Sequence, residues 1–289
     1  ESDHMERERR HAARVQSRSI QSELPVDPRL HFALWYEPFH TIGGDYYRVL
    51  ELEPEVYGIF LADISGHGIS AAMHLNTVVN SFTRCTDALH LPAEFLRRML
   101  YGQLHDQSIT AIYIRSDLEQ GRLDYCNGGH PKAFLAALPE TTAESQAAGT
   151  QPTGTQPTGT PRKVRFLRPN GKVLGAFPRV EFQSQSLALD ERNRLIVYTD
   201  GISEAARHSG SEPDTRETAS QTGAGSESDF ELLGERGLLD LFDARTTGWS
   251  PERTLEHVRM RVNEFSGGEL PADDRTLLLT DIDCAVRPA

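Results

Sequence analysis

The sequence predicts an α+β fold in which a β-sandwich lies between layers of helices. Short β-branched, aromatic or apolar runs bounded by turn residues recur from Leu30 onward, and such runs are typical of strands. They do not alternate regularly with helices, which disfavours a doubly wound parallel sheet. The helical stretches come in two pairs, and each pair needs a sheet face to cover. The predicted strands are 30–38, 46–53, 56–63, 109–116, 121–127, 132–138, 164–168, 182–190, 194–200 and 275–283.

The helical pairs are separated by most of the predicted strands. The first pair comprises residues 70–85 and 92–106, and the second comprises 235–244 and 250–265. The last helix opens with Ser-Pro followed by Glu, which is a helix-start signature.

Composition restricts the possible partners and the compartment. The 289 residues carry a formal net charge of −12, from 42 acidic and 30 basic side chains, so we expect no nonspecific binding to nucleic acid or anionic membranes. The cysteines Cys85, Cys126 and Cys284 are odd in number and far apart, which favours a reduced, cytoplasmic setting. No apolar run approaches the ~20 residues that span a bilayer.

The chain divides into a linker and one domain. Residues 1–23 are rich in helix formers and predict a mostly solvated linker helix, although the first few residues look partly like an expression-tag remnant. Residues 24–289 are predicted to form the domain. Two polar stretches rich in Gly, Pro, Ser and Thr, at about 141–161 and 207–229, predict disordered surface insertions because strand patterns resume after each.

Aspartates occur where strand-like runs end or turns begin. Asp45 follows two glycines, Asp63 and Asp200 end strands, and Asp273 and Asp274 precede the last strand. Strand ends from one side of a sheet converge, so these carboxylates would share a pocket. Any one of them alone is more simply a turn residue.

A carboxylate cluster requires neutralisation by protons or cations. Oxygen ligands without nearby Cys or His favour Mg²⁺ or Mn²⁺ over Zn²⁺. Two such ions would bind an anionic ester and lower the pKa of a bridging water, which becomes the nucleophile at phosphorus. The adjacent glycines would let backbone carbonyls approach without obstruction by a Cβ.

Motifs in a fixed order give the chain a family resemblance. It resembles the SpoIIE/RsbU branch of the metal-dependent protein phosphatases (PPM, type 2C-like) across roughly residues 24–286. The motifs are GGDYY at 43–47, ADISGHG at 62–68, YCNGGHP at 125–131, LGAF at 174–177, YTDGISEA at 198–205 and DDRTLLL at 273–279.

The resemblance implies a four-layer αββα sandwich of two antiparallel sheets flanked by helices, with two divalent cations, Mn²⁺ or Mg²⁺. Asp63 resembles the carboxylate that bridges both ions, and the Ile64 carbonyl resembles a neighbouring ligand. Asp45 resembles a ligand of one ion, mainly through water. Asp200 and Asp273 resemble ligands of the other. Asp63 and Asp45, through a metal-bound water, are therefore the predicted catalytic residues.

Further residues are expected around the ligands. Asp274, Gly44 and Gly201 are placed there, and His67 either orders its turn or lines the pocket. His130 is either a general acid for the leaving oxygen or a turn histidine near the site. Glu204 is either a supporting base or a helix-start acid that faces the dipole.

The resemblance also implies a biological setting. The expected reaction is hydrolysis of phosphoserine or phosphothreonine, with a phosphorylated STAS-domain anti-anti-sigma factor as substrate in a partner-switching pathway. Residues 70–86 and 92–106 resemble helices that respond to an upstream sensor or receiver domain. The linker helix would carry that signal and would also allow homodimers to form. We hypothesise that the second insertion tunes substrate choice.

Three rival functions fit the sequence less well. A pseudophosphatase would keep the fold as a binding module without catalysis, but such proteins usually lose one of the four aspartates. A serine hydrolase using Ser65 and His67 is disfavoured because these residues lie two apart on one turn and the G-x-S-x-G elbow is absent. A P-loop is disfavoured because SGHGIS lacks the required Lys and spacing.

Overall fold

Two five-stranded antiparallel sheets form the centre of the domain in a computed structural model. The structure describes residues 23–39, 43–65, 69–99, 108–139, 163–175, 180–208, 230–243 and 246–285. The strands are β1 (Leu30–Glu37), β2 (Tyr46–Glu53), β3 (Val56–Ile64), β4 (Ile109–Asp117), β5 (Arg122–Gly128), β6 (Ala133–Ala137), β7 (Val164–Leu167), β8 (Gln185–Ala188), β9 (Arg192–Tyr198), β10 (Ala206–His208), β11 (Phe230–Leu232) and β12 (Arg275–Asp283). Sheet 1 has the order β1-β12-β9-β6-β7, and sheet 2 has the order β2-β3-β4-β5-β8.

Helices cover the outer face of each sheet. They are α1 (Ile69–Arg84), α2 (Pro92–Met99), the single turn α3 (Asp200–Ser203), α4 (Gly234–Asp240) and α5 (Pro251–Phe265). The helices α1 and α2 pack on sheet 2, while α4 and α5 pack on sheet 1. The predicted four-layer αββα sandwich is thereby confirmed.

The strand sequences explain why both sheets are buried on two faces. Almost every residue of β3 and β12 is buried. β3 is a nearly continuous apolar run, whereas β12 has the apolar centre Leu277, Leu278 and Leu279 between polar residues. In β3, Phe60 contacts Phe82 of α1 and Phe95 of α2, with ring centroids 5.5 Å apart in both pairs. Because side chains alternate along a strand, Ile59 and Leu61 face sheet 1.

Most predicted elements agree with the structure. The helix predicted at 70–85 is α1, and the one predicted at 250–265 is α5, where the Ser250 hydroxyl accepts a hydrogen bond from the Arg253 N–H at 3.4 Å. The helix predicted over 92–106 is described only as far as Met99. The proposed linker helix and the first insertion fall outside the described residues, apart from the non-helical Glu23.

The start predicted for the second insertion was wrong by two residues. Arg207 and His208 belong to β10, which pairs with β11 in a two-stranded ribbon. The Arg207 guanidinium binds the Glu231 carboxylate and lies 4.9 Å from the centre of the Phe265 ring, so these contacts extend the ordered chain beyond the motif at 198–205. Residues 209–229 lie outside the described part.

No helix in the described ranges is both long enough and apolar enough to cross a membrane.

Candidate metal centre

The inner face of sheet 2 carries Asp45, just before β2, and Asp63, near the end of β3. Tyr46 pairs with Ala62 in antiparallel strands. Asp45, which precedes Tyr46, therefore lies alongside Asp63, which follows Ala62. The Tyr46 ring contacts Phe82 on the helical side, at 6.2 Å between centroids. Alternation therefore directs Asp45 and Asp63 toward sheet 1.

Sheet 1 contributes the other acidic residues from the end of β9 and the start of β12. The Thr199 N–H donates to the Thr276 carbonyl at 3.0 Å, and the Thr276 N–H donates to the Thr199 hydroxyl at 2.9 Å. These bonds hold Asp200 beside the segment that contains Asp273. The expectation that one side of a single sheet supplies all four carboxylates was wrong, because two facing sheets supply two each.

Asp45 links the two sheets directly. Its Oδ2 accepts hydrogen bonds from the hydroxyls of Thr276 at 2.6 Å and Thr199 at 2.8 Å. Its Oδ1 is buried and has no hydrogen-bond partner. A buried carboxylate oxygen without a donor is costly unless something else binds it.

Asp274 and Gly201 shape the loops around the acidic residues. The Asp274 carboxylate accepts hydrogen bonds from the N–H groups of Phe39 at 2.6 Å and Gly44 at 2.5 Å, so both of its oxygens are used within the protein. A Cβ on Gly201 would lie 2.1 Å from the Asp274 carbonyl oxygen, which only glycine avoids. Asp273 is less buried and accepts the Asp274 N–H at 2.8 Å through Oδ1, which leaves Oδ2 available.

Crowding of the carboxylates favours their neutral forms. Burial, together with the charges of Asp200 and Asp273, raises the pKa of Asp63 to about 8. Burial, together with Glu204 and Asp273, raises the pKa of Asp200 to about 6. Burial and then Asp63 raise the pKa of Asp45 well above its ordinary value, although the threonine hydrogen bonds act in the opposite direction. A bound cation would replace these protons.

The residues present fit divalent cations. Asp45 Oδ1 lacks a donor, all the candidate ligands are oxygens, and a Cβ on Gly44 would lie 3.1 Å from the Ile64 carbonyl oxygen. Glycine at 44 thus leaves that carbonyl accessible. Within the described residues, no three His, Cys, Asp or Glu side chains are drawn together tightly enough to enclose an ion. The cluster is a set of converging carboxylates that a hard cation would have to gather.

The remaining candidates differ in their surroundings. His130 is fully buried, its Nδ1 lies 2.9 Å from the Thr110 hydroxyl, and burial lowers its pKa to about 3. These features favour the turn histidine over the general acid. Glu204 is exposed at the end of α3, and its N–H donates to the Asp200 carbonyl at 2.7 Å. His67 lies outside the described residues.

Ser65 belongs to the turn that follows β3. Its N–H donates to the Ser108 carbonyl at 3.0 Å, and its hydroxyl accepts the Ser108 N–H at 3.3 Å. These contacts join it to the segment before β4 and give it a local structural role.

Sequence reasoning missed Thr199 and Thr276, the two residues that hold Asp45. A signal was present, because a threonine directly precedes Asp200 and another follows the acidic pair two positions later. A threonine beside an acidic motif does not by itself reveal which carboxylate its hydroxyl will bind. For Thr199 that carboxylate, Asp45, lies more than 150 residues away in the chain.

Two facing antiparallel sheets between helices form the fold of the PP2C-type phosphatase domains. Solved structures of this class share the fold. The SiaA-PP2C domain of Pseudomonas aeruginosa superposes with a TM-score of 0.69 at 16% identity, covering 96% of this chain and 97% of that one. The RsbU and RsbW domains of a Mycobacterium tuberculosis protein give a TM-score of 0.61 at 20% identity, covering 94% of this chain and 65% of that one. RsbX in complex with magnesium superposes with a TM-score of 0.52 at 13% identity, covering 90% of this chain and 98% of that one.

The model of the family described as Stage II sporulation protein E (SpoIIE) matches residues 53–167 and 155–283, so the chain belongs to the SpoIIE family. Phosphoserine phosphatase RsbP of Bacillus subtilis is 28% identical over 199 residues, which cover 66% of this chain and 44% of RsbP. The chain thus spans less than half the length of that relative.

Proposed function

We propose that the chain is a metal-dependent serine/threonine protein phosphatase. The observation that carries this proposal is the convergence of carboxylates from both sheets, in which Asp63 interacts with Asp45, Asp200 and Asp273. The buried Asp45 Oδ1, which has no hydrogen-bond donor, adds to it. Membership of the SpoIIE family and the name of the relative RsbP support the phosphoserine assignment.

The protein groups have distinct tasks in this proposal. Two divalent cations, Mn²⁺ or Mg²⁺, would be held by Asp45, Asp63, Asp200, Asp273 and the Ile64 carbonyl. When bound, the cations supply Lewis-acid activation of water and neutralise the phosphate ester. The threonine hydroxyls fix the orientation of Asp45, and Asp274 fixes the loop at Gly44.

Burial also contributes to this centre. Asp45 and Asp274 are only 1% and 3% exposed, which limits access of bulk water to their carboxylates. Electrostatic interactions are stronger in such surroundings than in water. The cluster would therefore discriminate strongly for multivalent cations and against solvent ions of single charge.

The substrate we propose is a phosphorylated STAS-domain protein in a cytoplasmic partner-switching pathway. The RsbP and RsbU names among the relatives support this choice. An upstream sensor or receiver domain would regulate activity through residues 1–23, which would also mediate homodimer formation. In sequence, the second insertion connects β10 to β11, shortly after Asp200, and we propose that it tunes access of the phosphoprotein.

Phosphate release tests the proposal. We expect Mn²⁺-dependent hydrolysis of p-nitrophenyl phosphate and of a phosphoserine STAS protein, with the second favoured in kcat/KM. Chelation and Asp63→Asn should each abolish both activities, whereas Asp283→Asn, a surface change on β12, should leave them intact. Hydrolysis that survives chelation would contradict the metal mechanism. Folded protein that binds Mn²⁺ but hydrolyses neither substrate would instead favour the pseudophosphatase.

A further inference from the structure

His130 occupies the seam between the two sheets, beside the candidate metal centre. Its ring nitrogen Nδ1 lies 2.9 Å from the hydroxyl of Thr110 on β4. Thr110 is the cross-strand partner of Asp63 on β3. Cross-strand partners project from the same face of a sheet, so Thr110 and Asp63 both face sheet 1, and His130 contacts Thr110 there.

The other ring nitrogen points to sheet 1 without bonding to it. Nε2 is buried with no hydrogen-bond partner and lies near the main chain of Tyr198, the last residue of β9. The next two residues are Thr199, which donates to Asp45, and Asp200. One buried side chain therefore lies between the strand pair that carries Asp63 and the strand end that carries Asp200 and holds Asp45.

The turn that presents His130 is rigid. The His130 N–H donates to Asn127 Oδ1 at 2.8 Å, and the Asn127 amide nitrogen donates in turn to the Leu167 carbonyl at 3.3 Å. Gly129 has a φ of 76°, and a Cβ there would lie 2.7 Å from Val173 Cγ2. A residue with a side chain would be strained by this backbone conformation and would displace the loop at Val173. The ring is thus held by Thr110 of sheet 2, and its turn is tied to sheet 1 through the Leu167 carbonyl of β7.

We propose that His130 is a positioning residue that sets the separation between Asp63 on sheet 2 and Asp200 on sheet 1, and thereby the affinity of the chain for divalent cations. This inference rests on the proposed function. A cation bound between facing carboxylates requires their oxygens at fixed distances, and residues that orient metal ligands typically change metal affinity by about 10- to 100-fold. His130 acts here through contact and packing, and no proton moves on it.

Variants of the Thr110–His130 contact separate positioning from general stability. His130→Leu removes the polar contact with Thr110, and Thr110→Val removes the hydroxyl at constant shape. His130→Asn and Thr110→Ser each keep a polar atom for the contact. The matched control is Thr254→Val, because the Thr254 hydroxyl accepts a buried hydrogen bond from Arg194 at 2.7 Å, toward the other end of β9 from Asp200.

The probe is Mn²⁺ alone, titrated by calorimetry or electron paramagnetic resonance into the full chain at a temperature where each variant is folded. We expect His130→Leu and Thr110→Val each to raise the Mn²⁺ Kd by about 10-fold or more. The double variant should be little worse than either single variant because both break one linkage. His130→Asn and Thr110→Ser should recover most of the affinity. Thr254→Val should lower the unfolding midpoint and leave the Kd within about twofold.

Unchanged Kd in folded His130→Leu and Thr110→Val would overturn the inference, as would an equal loss in Thr254→Val. If His130→Leu does not fold, the comparison of Thr110→Val with Thr110→Ser decides alone. A chain that binds Mn²⁺ through Asp63 but releases no phosphate overturns the proposed function and leaves these affinities interpretable. A chain without Asp63-dependent Mn²⁺ binding overturns both.

Discussion

Thr276→Val isolates the hydrogen bond on which the position of Asp45 most depends. The substitution keeps the β-branched shape of a fully buried residue on β12 and removes one hydroxyl. That hydroxyl donates to Asp45 Oδ2 at 2.6 Å, the shorter of the two bonds to this oxygen. The second bond, from Thr199, remains.

The size of the effect depends on the charge of Asp45. In the metal-free protein the raised pKa of Asp45 favours the neutral acid, and losing a neutral hydrogen bond costs about 0.5–1.5 kcal/mol of the free energy of unfolding. With cations bound the carboxylate is charged, and hydrogen bonds to charged groups contribute about 1.5–3 kcal/mol. The difference, about 1–1.5 kcal/mol, corresponds to roughly a 5- to 12-fold weaker Mn²⁺ affinity.

Titration of Thr276→Val with Mn²⁺ measures the change in Mn²⁺ affinity. Urea unfolding in the presence and absence of Mn²⁺ measures the change in the free energy of unfolding. The matched control is Thr280→Val on the same face of β12, because the Thr280 hydroxyl is buried without a partner. The control should keep its Mn²⁺ affinity and be as stable as the natural sequence or more so, since it removes an unsatisfied polar group. Equal Mn²⁺ affinity in Thr276→Val and Thr280→Val would refute the role given to the Asp45 hydrogen bonds.

Three further substitutions test other parts of the structure. Gly201→Ala should reduce phosphatase activity at least 10-fold, because its Cβ would meet the Asp274 carbonyl, whereas Gly248→Ala, which has open space, should not. Asp281→Asn should lower the free energy of unfolding by about 3–5 kcal/mol in urea titrations, because it leaves the buried Arg194 without its counter-charge. The control is Asp283→Asn, which should lower it by at most about 1 kcal/mol because the Asp283–Arg192 ion pair is partly exposed. Asp27→Asn should destabilise the protein at pH 6. The hydrogen bonds from Arg29 hold the pKa of Asp27 below its usual value, so the stabilisation is complete above about pH 4 and declines on acidification; a deficit that stays constant down to pH 2 would contradict this.

The sequence was sufficient for the elements with strong local signals. The Ser-Pro start of α5 combines a cap with a residue pre-set for a helix, so its first residue was predictable. The strand β3 is a nearly continuous apolar run whose burial follows from composition. By contrast, β10 and β11 have three residues each and are held by the Arg207–Glu231 pair, which no local pattern reveals.

The acidic residues were predictable as a set, but their arrangement was not. Each aspartate has a local signal in its turn, whereas their division between two sheets depends on which strands pair. The contacts of Asp45 with Thr199 and Thr276 join residues separated by 154 and 231 positions, which only the packed structure brings together. The burial of His130 likewise depends on the closure of the sandwich.

One titration tests the central claim most directly: bound Mn²⁺ and phosphate released from a phosphoserine protein, measured on the same samples for the natural sequence and for Asp63→Asn. The account predicts that phosphate release rises with Mn²⁺ occupancy and that Asp63→Asn, while folded, loses both. Phosphate release that is independent of bound Mn²⁺, or that persists in Asp63→Asn, would contradict it.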